Sequence, residues 1–290
     1  MNTAQGRDWF GLSSFDPGES RYGGFLYLLD EVGSTSDFLL GRGQSALGRL
    51  CRWDGWGWQA GDRQLLPPPS QPRDGSMVVA RRQTAGRGRQ GRSWFGPSGL
   101  ILSWTISPVP PSHASRLAVW TGLIVASSVR DLTGEDVRLK WPNDLWLDGR
   151  KLGGMILDLV QRGPERLLVA GLGLNVGPWS FGTPVDILAR ASSLDPGVQL
   201  STLAAAILRR HHQEQAVFMA EGWPVFRDLF DELDILRDRM IELSDVRGIR
   251  RGRASGIDDE GALILEIDGA RESILAGDVH ITDSGGGNRS

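Results

Sequence analysis

Residues 83–94, QTAGRGRQGRSW, leave a short apolar run, SMVVA (76–80), and decide which folds are open to this chain. Gly86, Gly88 and Gly91 stand at the G-x-G-x-x-G spacing of a dinucleotide-binding turn, and a strand pattern precedes them. That turn must open directly into a helix. Here SWFGPSG follows, and its Gly and Pro forbid one. What remains is a glycine loop carrying Arg87, Arg89 and Arg92. Glycine lets backbone approach a ligand closely, and each guanidinium can hold an anionic oxygen pair through two parallel hydrogen bonds. Three like charges on glycine hinges predict a loop that is mobile when empty. A solvated basic loop or an arginine/glycine RNA tract is the alternative. The motif occurs once in a chain of net charge −3, which favours anion binding.

A second feature lies at residues 138–154, RLKWPNDLWLDGRKLGG. Lys140 and Lys151 are the chain's two lysines; its other cationic side chains are arginine. An arginine-biased genome explains the general absence of lysine. Two retained lysines in one segment point to a role needing a compact point charge rather than a planar fork. Asn143 and Asp144 follow Pro142 and read as a turn, with Asp144 a candidate acceptor or a carboxylate near magnesium. Asp148-Gly149 is the favoured two-residue hairpin turn, so Lys151 folds back towards the start of the preceding strand. Gly153 and Gly154 remove side chains beside it, as a ligand lying against backbone requires. A surface lysine and a plain turn are the bland readings of each feature taken alone.

The rest of the chain frames these segments. At 290 residues it has room for one large domain and a small one. Cys51 is the single cysteine, so no internal disulfide framework exists, and the four histidines lack metal spacing. No leader or long apolar run is apparent, which predicts a cytoplasmic protein that does not bind membrane, and the net charge of −3 leaves no basic field to hold nucleic acid. Residues 1–22 read as a flexible N-terminal arm. GFLYLLDEV (24–32) reads as a strand, and Ser34 with Asp37 as the capping box of a following helix. Residues 51–75, rich in Trp and Pro, suit a surface loop or insertion. A strand is expected at 100–108 and a helix over 114–133, then the 145–160 hairpin and a strand at 166–177. Helices are expected near 201–221, with Ser201 as cap, and 223–235. From 236 to 283 the pattern turns to short strands, and 284–290 to a tail.

In order along the chain, STS (34–36), QTAGRGRQGRSW, KWPND with RKLGG, GLGLNV (171–176) and GIDDEGALIL…AGDV resemble the biotin protein ligases, over about residues 25–282. The resemblance implies an α/β (α+β) mixed-sheet catalytic domain, 23–235, related to class II aminoacyl-tRNA synthetases and lipoate ligases. A small SH3-like barrel, 236–283, would follow it. It implies ATP and Mg²⁺ as cofactors, biotin as substrate, and the biotin carboxyl carrier protein or domain of acetyl-CoA carboxylase as partner, with a monomer or homodimer doing the work. Carried over by position, Ser34, Thr35 and Ser36 would meet the biotin ring. Gln83, Arg87, Gly88 and Arg89 would line biotin and adenylate, and Arg92 and Trp94 would close the loop. Lys151, beside Gly153 and Gly154, would contact the biotin carboxylate and the phosphate being formed. Lys151, Arg89 and Arg87 would carry the catalysis. Lys140, Asn143, Asp144 and Asn175 would serve nucleotide, metal or acceptor lysine; no metal ligand set is assigned.

The chain departs from the family pattern at three places. Ser36 stands where Asn is usual, Gln90 where an arginine is common, and Ile101 where Asn is frequent. Too little chain precedes residue 25 for a helix-turn-helix domain, so no operator binding or repressor activity is expected. Two rivals share part of the pattern. A lipoate or octanoate ligase has the lysine region but usually lacks the arginine loop and WPND. A non-catalytic biotin-binding protein would need no phosphate contacts.

Overall fold

The computed structural model describes residues 9–18, 25–94, 99–110, 114–162, 165–179 and 183–282. Its strands are β1 (Phe25–Leu29), β2 (Ala46–Trp53), β3 (Trp58–Ala60), β4 (Gln64–Leu66), β5 (Ser76–Ala80), β6 (Gly99–Ile106), β7 (Arg138–Lys140), β8 (Asp144–Leu147), β9 (Arg150–Arg162) and β10 (Glu165–Asn175). They form one sheet in the order β3-β2-β1-β5-β6-β10-β9-β8-β7, with β4 also on β2. The β1–β5 pair is parallel and the other pairs are antiparallel, so the sheet is mixed. The helices are α1 (Thr35–Leu39), α2 (Ala114–Thr133), α3 (Val185–Arg190), α4 (Leu200–Glu221) and α5 (Arg227–Leu233).

Side-chain alternation splits the sheet into two faces. On β6, Leu100, Leu102, Trp104 and Ile106 join the large core with Trp120 and Leu123 of α2, Leu203 and Phe218 of α4, and Phe230 of α5. Ile101 faces the other way, into a smaller cluster with Phe38 and Leu39 of α1. β10 repeats the division: Leu168, Ala170, Leu172 and Leu174 meet the long helices, while Leu167 and Val169 face the α1 side. The α1 face of the sheet is thus only partly covered, and the site forms there.

Local chemistry sets the elements as expected in most places. Ser34 caps α1 by accepting from the Asp37 N–H at 3.3 Å. Asp148 and Gly149 both take positive φ, 53° and 71°, the geometry of a tight hairpin turn between β8 and β9. Three expectations need correction. The 51–75 segment is not a loop throughout: β3 and β4 pair with β2 and extend the sheet edge. Asp54 makes the turn between β2 and β3 by accepting from the Trp56 and Gly57 N–H groups. Residues 9–18 are not a loose arm, because Phe10 and Phe15 are buried against the large core. Ser201 is not the cap of α4; the helix starts at Leu200, and Ser201 is buried in its first turn. Residues 284–290 lie outside the described residues.

A second, five-stranded antiparallel sheet follows: β11 (Met240–Asp245), β12 (Gly248–Ile257), β13 (Leu263–Ile267), β14 (Ala270–Ile274) and β15 (Asp278–Ile281), in the order β14-β13-β12-β11-β15. It matches the small C-terminal module expected. The buried indole of Trp141 donates to the Gly261 carbonyl at 3.0 Å, and Arg116 pairs with Glu260. No helix among the described residues is long and apolar enough to cross a membrane.

Candidate active site

The GLGL stretch of β10 explains where the cavity lies. Its leucines point into the helical core, so its glycines fall on the opposite face and leave bare backbone. Gly171 and Gly173 line a cavity of about 200 Å³, and Gly154 of β9, paired with Gly173, extends its lining. A Cβ on Gly173 would stand 2.3 Å from the Trp94 ring, so the indole lies directly over that backbone. Ser34, Thr35 and Ser36 from the start of α1 line one end, with Gln83. Lys140, Asn143 and Asp144 line another part of it with Lys151. The arginine loop runs beside the cavity, and Gly277, Asp278 and His280 of the C-terminal module complete it.

Fourteen of the sixteen residues chosen from sequence line this cavity. The other two do not. Gly153 packs against backbone instead: a Cβ there would lie 2.4 Å from the Gly173 carbonyl oxygen. Asn175 is buried, its Nδ2 donating to the Ser192 carbonyl at 3.0 Å. Gly171, Gly173, Asp278 and His280 were not chosen. The alternation of GLGL was the available signal for the first pair. The second arrives from the distant module, where AGDV marks the C-terminal domain and does not by itself point to this cavity.

The loop's charges are not left to repel one another. The Arg87 fork donates to Asp158, at 2.6 Å for the shorter contact, and its Nε lies 3.2 Å from Asp37. Burial pushes this guanidinium down, yet the bond and charge of Asp158, with Asp37, outweigh burial and hold it above its ordinary value. Arg92 pairs with Asp278. The Gly88 N–H donates to Arg92 O and the Trp94 N–H to Gly86 O, closing the loop on itself. The mobility expected from charge repulsion therefore meets three carboxylates supplied by other elements.

Arg89 and Lys140 differ. Arg89 donates at 3.3 Å to two neutral acceptors, Asn143 Oδ1 and Gly277 O, and burial pushes it down. Lys140 sits with Nζ 5.1 Å from the Trp146 ring centroid, and burial likewise pushes it down, with Lys151 adding to the effect and Asp144 opposing it. Among the described residues, neither forms an ion pair. Lys151 Nζ donates to Asp144 Oδ1 at 2.6 Å. The cavity thus holds positive charge that the protein does not neutralise, as a site for an anion does.

The loop's tie to the C-terminal module is testable. Arg92 is 58% exposed in its side chain, so its pair with Asp278 is worth about 0.2–1 kcal/mol. Asp278→Ala should therefore speed tryptic cleavage after Arg89 and Arg92 by roughly up to fivefold. Equal cleavage rates in the two proteins would show that the pair does not restrain the loop.

Comparison with known proteins agrees with this construction. Residues 66–175 match the Biotin/lipoate A/B protein ligase family, which defines the class. Residues 239–281 match the Biotin protein ligase C terminal domain. The chain is 32% identical over 231 residues to the bifunctional ligase/repressor BirA of Escherichia coli, covering 76% of this chain and 70% of that protein. It is 33% identical over 221 residues to the biotin–[acetyl-CoA-carboxylase] ligase of Mycobacterium tuberculosis, covering 71% and 79%. The fold matches that of the Aquifex aeolicus biotin protein ligase, solved with biotin and ATP. The TM-score is 0.68 at 23% identity, covering 89% of this chain and 99% of that one. The chain belongs to the biotin protein ligase family.

Proposed function

We infer that this chain activates biotin with ATP and transfers it to a lysine of a biotin carboxyl carrier domain. One observation carries the reading: hydrogen-bonding groups suited to a polar ring and the half-buried cations Arg89 and Lys140, which form no ion pair among the described residues, share a single cavity. The biotin carboxylate attacks the α-phosphorus of ATP; an O–P bond forms, the bond to the β-phosphate breaks, and pyrophosphate leaves. The acceptor ε-amine then attacks the acyl carbon. The anhydride C–O bond breaks, AMP leaves, and the nitrogen loses a proton.

The protein's part is positioning and electrostatics. Arg89, Lys140 and Lys151 offset the charge that gathers when carboxylate and triphosphate meet. The missing side chains at Gly171 and Gly173 let Ser36 and Trp94 pack down onto β10, where they form the cavity wall against which the ligand would lie. Asp144 and Asp278 are the carboxylates lining the cavity, and both are already ion-paired. Magnesium would therefore be held mainly by the triphosphate oxygens, and Asp144 or Asp278 would join it only by giving up its ion pair.

A lipoate ligase is disfavoured by Thr35 and Gln83, whose polar groups would lose hydrogen bonds against an apolar dithiolane ring. The test is incubation with biotin, Mg-ATP and a carrier domain, read by intact mass. The carrier should gain the mass of one biotin, and lipoate should add nothing. A carrier that gains lipoate in place of biotin, or gains nothing, overturns the reading.

A further inference from the structure

A chain of hydroxyls runs beneath the ring end of the cavity, and its direction is fixed. The Thr35 backbone N–H can only donate, and it lies 2.7 Å from one terminal atom of Gln83. That atom must be the carbonyl Oε1, so Nε2 is the end left for other contacts. The Thr35 hydroxyl, 3.0 Å away, gives its proton to the same oxygen. Ser103 Oγ then donates to Thr35 Oγ1 at 2.9 Å. With its single proton spent, Ser103 can only accept from Ser36 Oγ at 3.0 Å. All three protons therefore point one way, from Ser36 through Ser103 and Thr35 to Gln83.

Ser103 does not line the cavity. It is fully buried on β6, directly opposite Gly171 of β10. A Cβ on Gly171 would stand 2.2 Å from Ser36 Oγ, so the glycine is what lets Ser36 reach down to Ser103. The serine at 36, a departure from the usual family residue, thus has a specific partner below it.

We propose that Ser103 is a positioning residue that sets the hydrogen-bond polarity of the ring end. The polarity selects a ligand that offers N–H groups to the hydroxyls of Ser36 and Thr35 and a carbonyl oxygen to Gln83 Nε2, as a cyclic urea does. This rests on the biotin reading above and adds the residue that enforces it. Without Ser103, the Ser36 proton has no acceptor below and turns into the cavity, against the ligand's own N–H.

The experiment uses the full chain and reads pyrophosphate release together with calorimetric biotin binding. Ser103→Ala should raise the KM for biotin about tenfold, the scale of one hydrogen bond turned from favourable to opposed. The KM for ATP and kcat should stay within about twofold, and the melting temperature close to the parent's. Ser103→Cys, a poor donor of similar size, should fall between parent and Ser103→Ala. A second measurement needs no variant. The guanidine analogue of biotin, a guanidinium at neutral pH with an N–H₂ group in place of the ring carbonyl oxygen, sets a donor against Gln83 Nε2. It should bind the wild-type chain at least about a hundredfold more weakly than biotin. A folded Ser103→Ala with unchanged biotin KM, or wild-type binding of the analogue within about threefold of biotin, overturns the proposal. A wild-type chain that binds no biotin removes the functional reading and the proposal together.

Discussion

Lys151→Ala should lower the rate of biotin adenylation by about two to three orders of magnitude, the scale for losing one preorganised charge at a reacting centre. Two losses combine. The ammonium that would face the forming acyl phosphate disappears, and Asp144, held at 2.6 Å by Lys151, becomes an uncompensated carboxylate facing the incoming phosphates. The second loss can be separated from the first. Removing Asp144 as well abolishes that repulsion, so Lys151→Ala/Asp144→Asn should be less impaired than the product of the single effects predicts. Lys151→Arg should not restore the rate. Gly154 leaves only a narrow space at this point: a Cβ there would already lie 3.3 Å from Lys151 Nζ. A planar fork needs more room and carries its charge elsewhere. Pyrophosphate release in the absence of carrier isolates this step. A Lys151→Ala rate within about tenfold of the parent's would show that the cation does not act on the reacting centre.

The pair of lysines was legible because composition made it conspicuous, and the hairpin because Asp148-Gly149 admits few other structures. Thr35, Gln83 and the arginine loop fell to motif order. What local sequence did not disclose is how the loop's charges are balanced. Arg87 meets an aspartate 71 positions away and Arg92 one 186 positions away, separations that no periodicity registers. The same limit hid Ser103, whose role depends on a glycine opposite it on another strand. Residues 51–75 misled for a different reason. Clustered Trp, Gly and Pro suggest irregular chain, yet Trp53 and Trp58, opposite each other on β2 and β3, meet edge to face at 5.8 Å as cross-strand pairs do, and Trp58 also packs on Phe15.

Asp234→Asn should stabilise the protein at pH 8 by up to about 4 kcal/mol, with the advantage shrinking as the pH falls towards 4. Asp234 lies where α5 hands over to β11, bridged to Leu139 of β7 next to Lys140. It is 6% exposed; Oδ1 accepts from the Leu236 N–H at 2.9 Å, and Oδ2 is buried with no partner. Burial pushes the carboxyl up from 3.8 to about 7, helped by Asp231 and Asp238 and opposed by the Leu236 N–H and Arg237. Between those values the folded protein holds a proton that the unfolded chain has released. Stability therefore falls as pH rises from about 4 to about 7, and above that the full cost of a buried carboxylate persists. Asparagine keeps the oxygen that Leu236 needs and cannot ionise. Urea midpoints for parent and variant from pH 5 to 8.5 should diverge steadily up to about pH 7 and then run parallel. A constant gap across that range would mean that Asp234 ionises as freely in the folded protein as in the unfolded chain. The joint between the cavity strand β7 and the C-terminal module would then carry no pH-dependent cost from this acid.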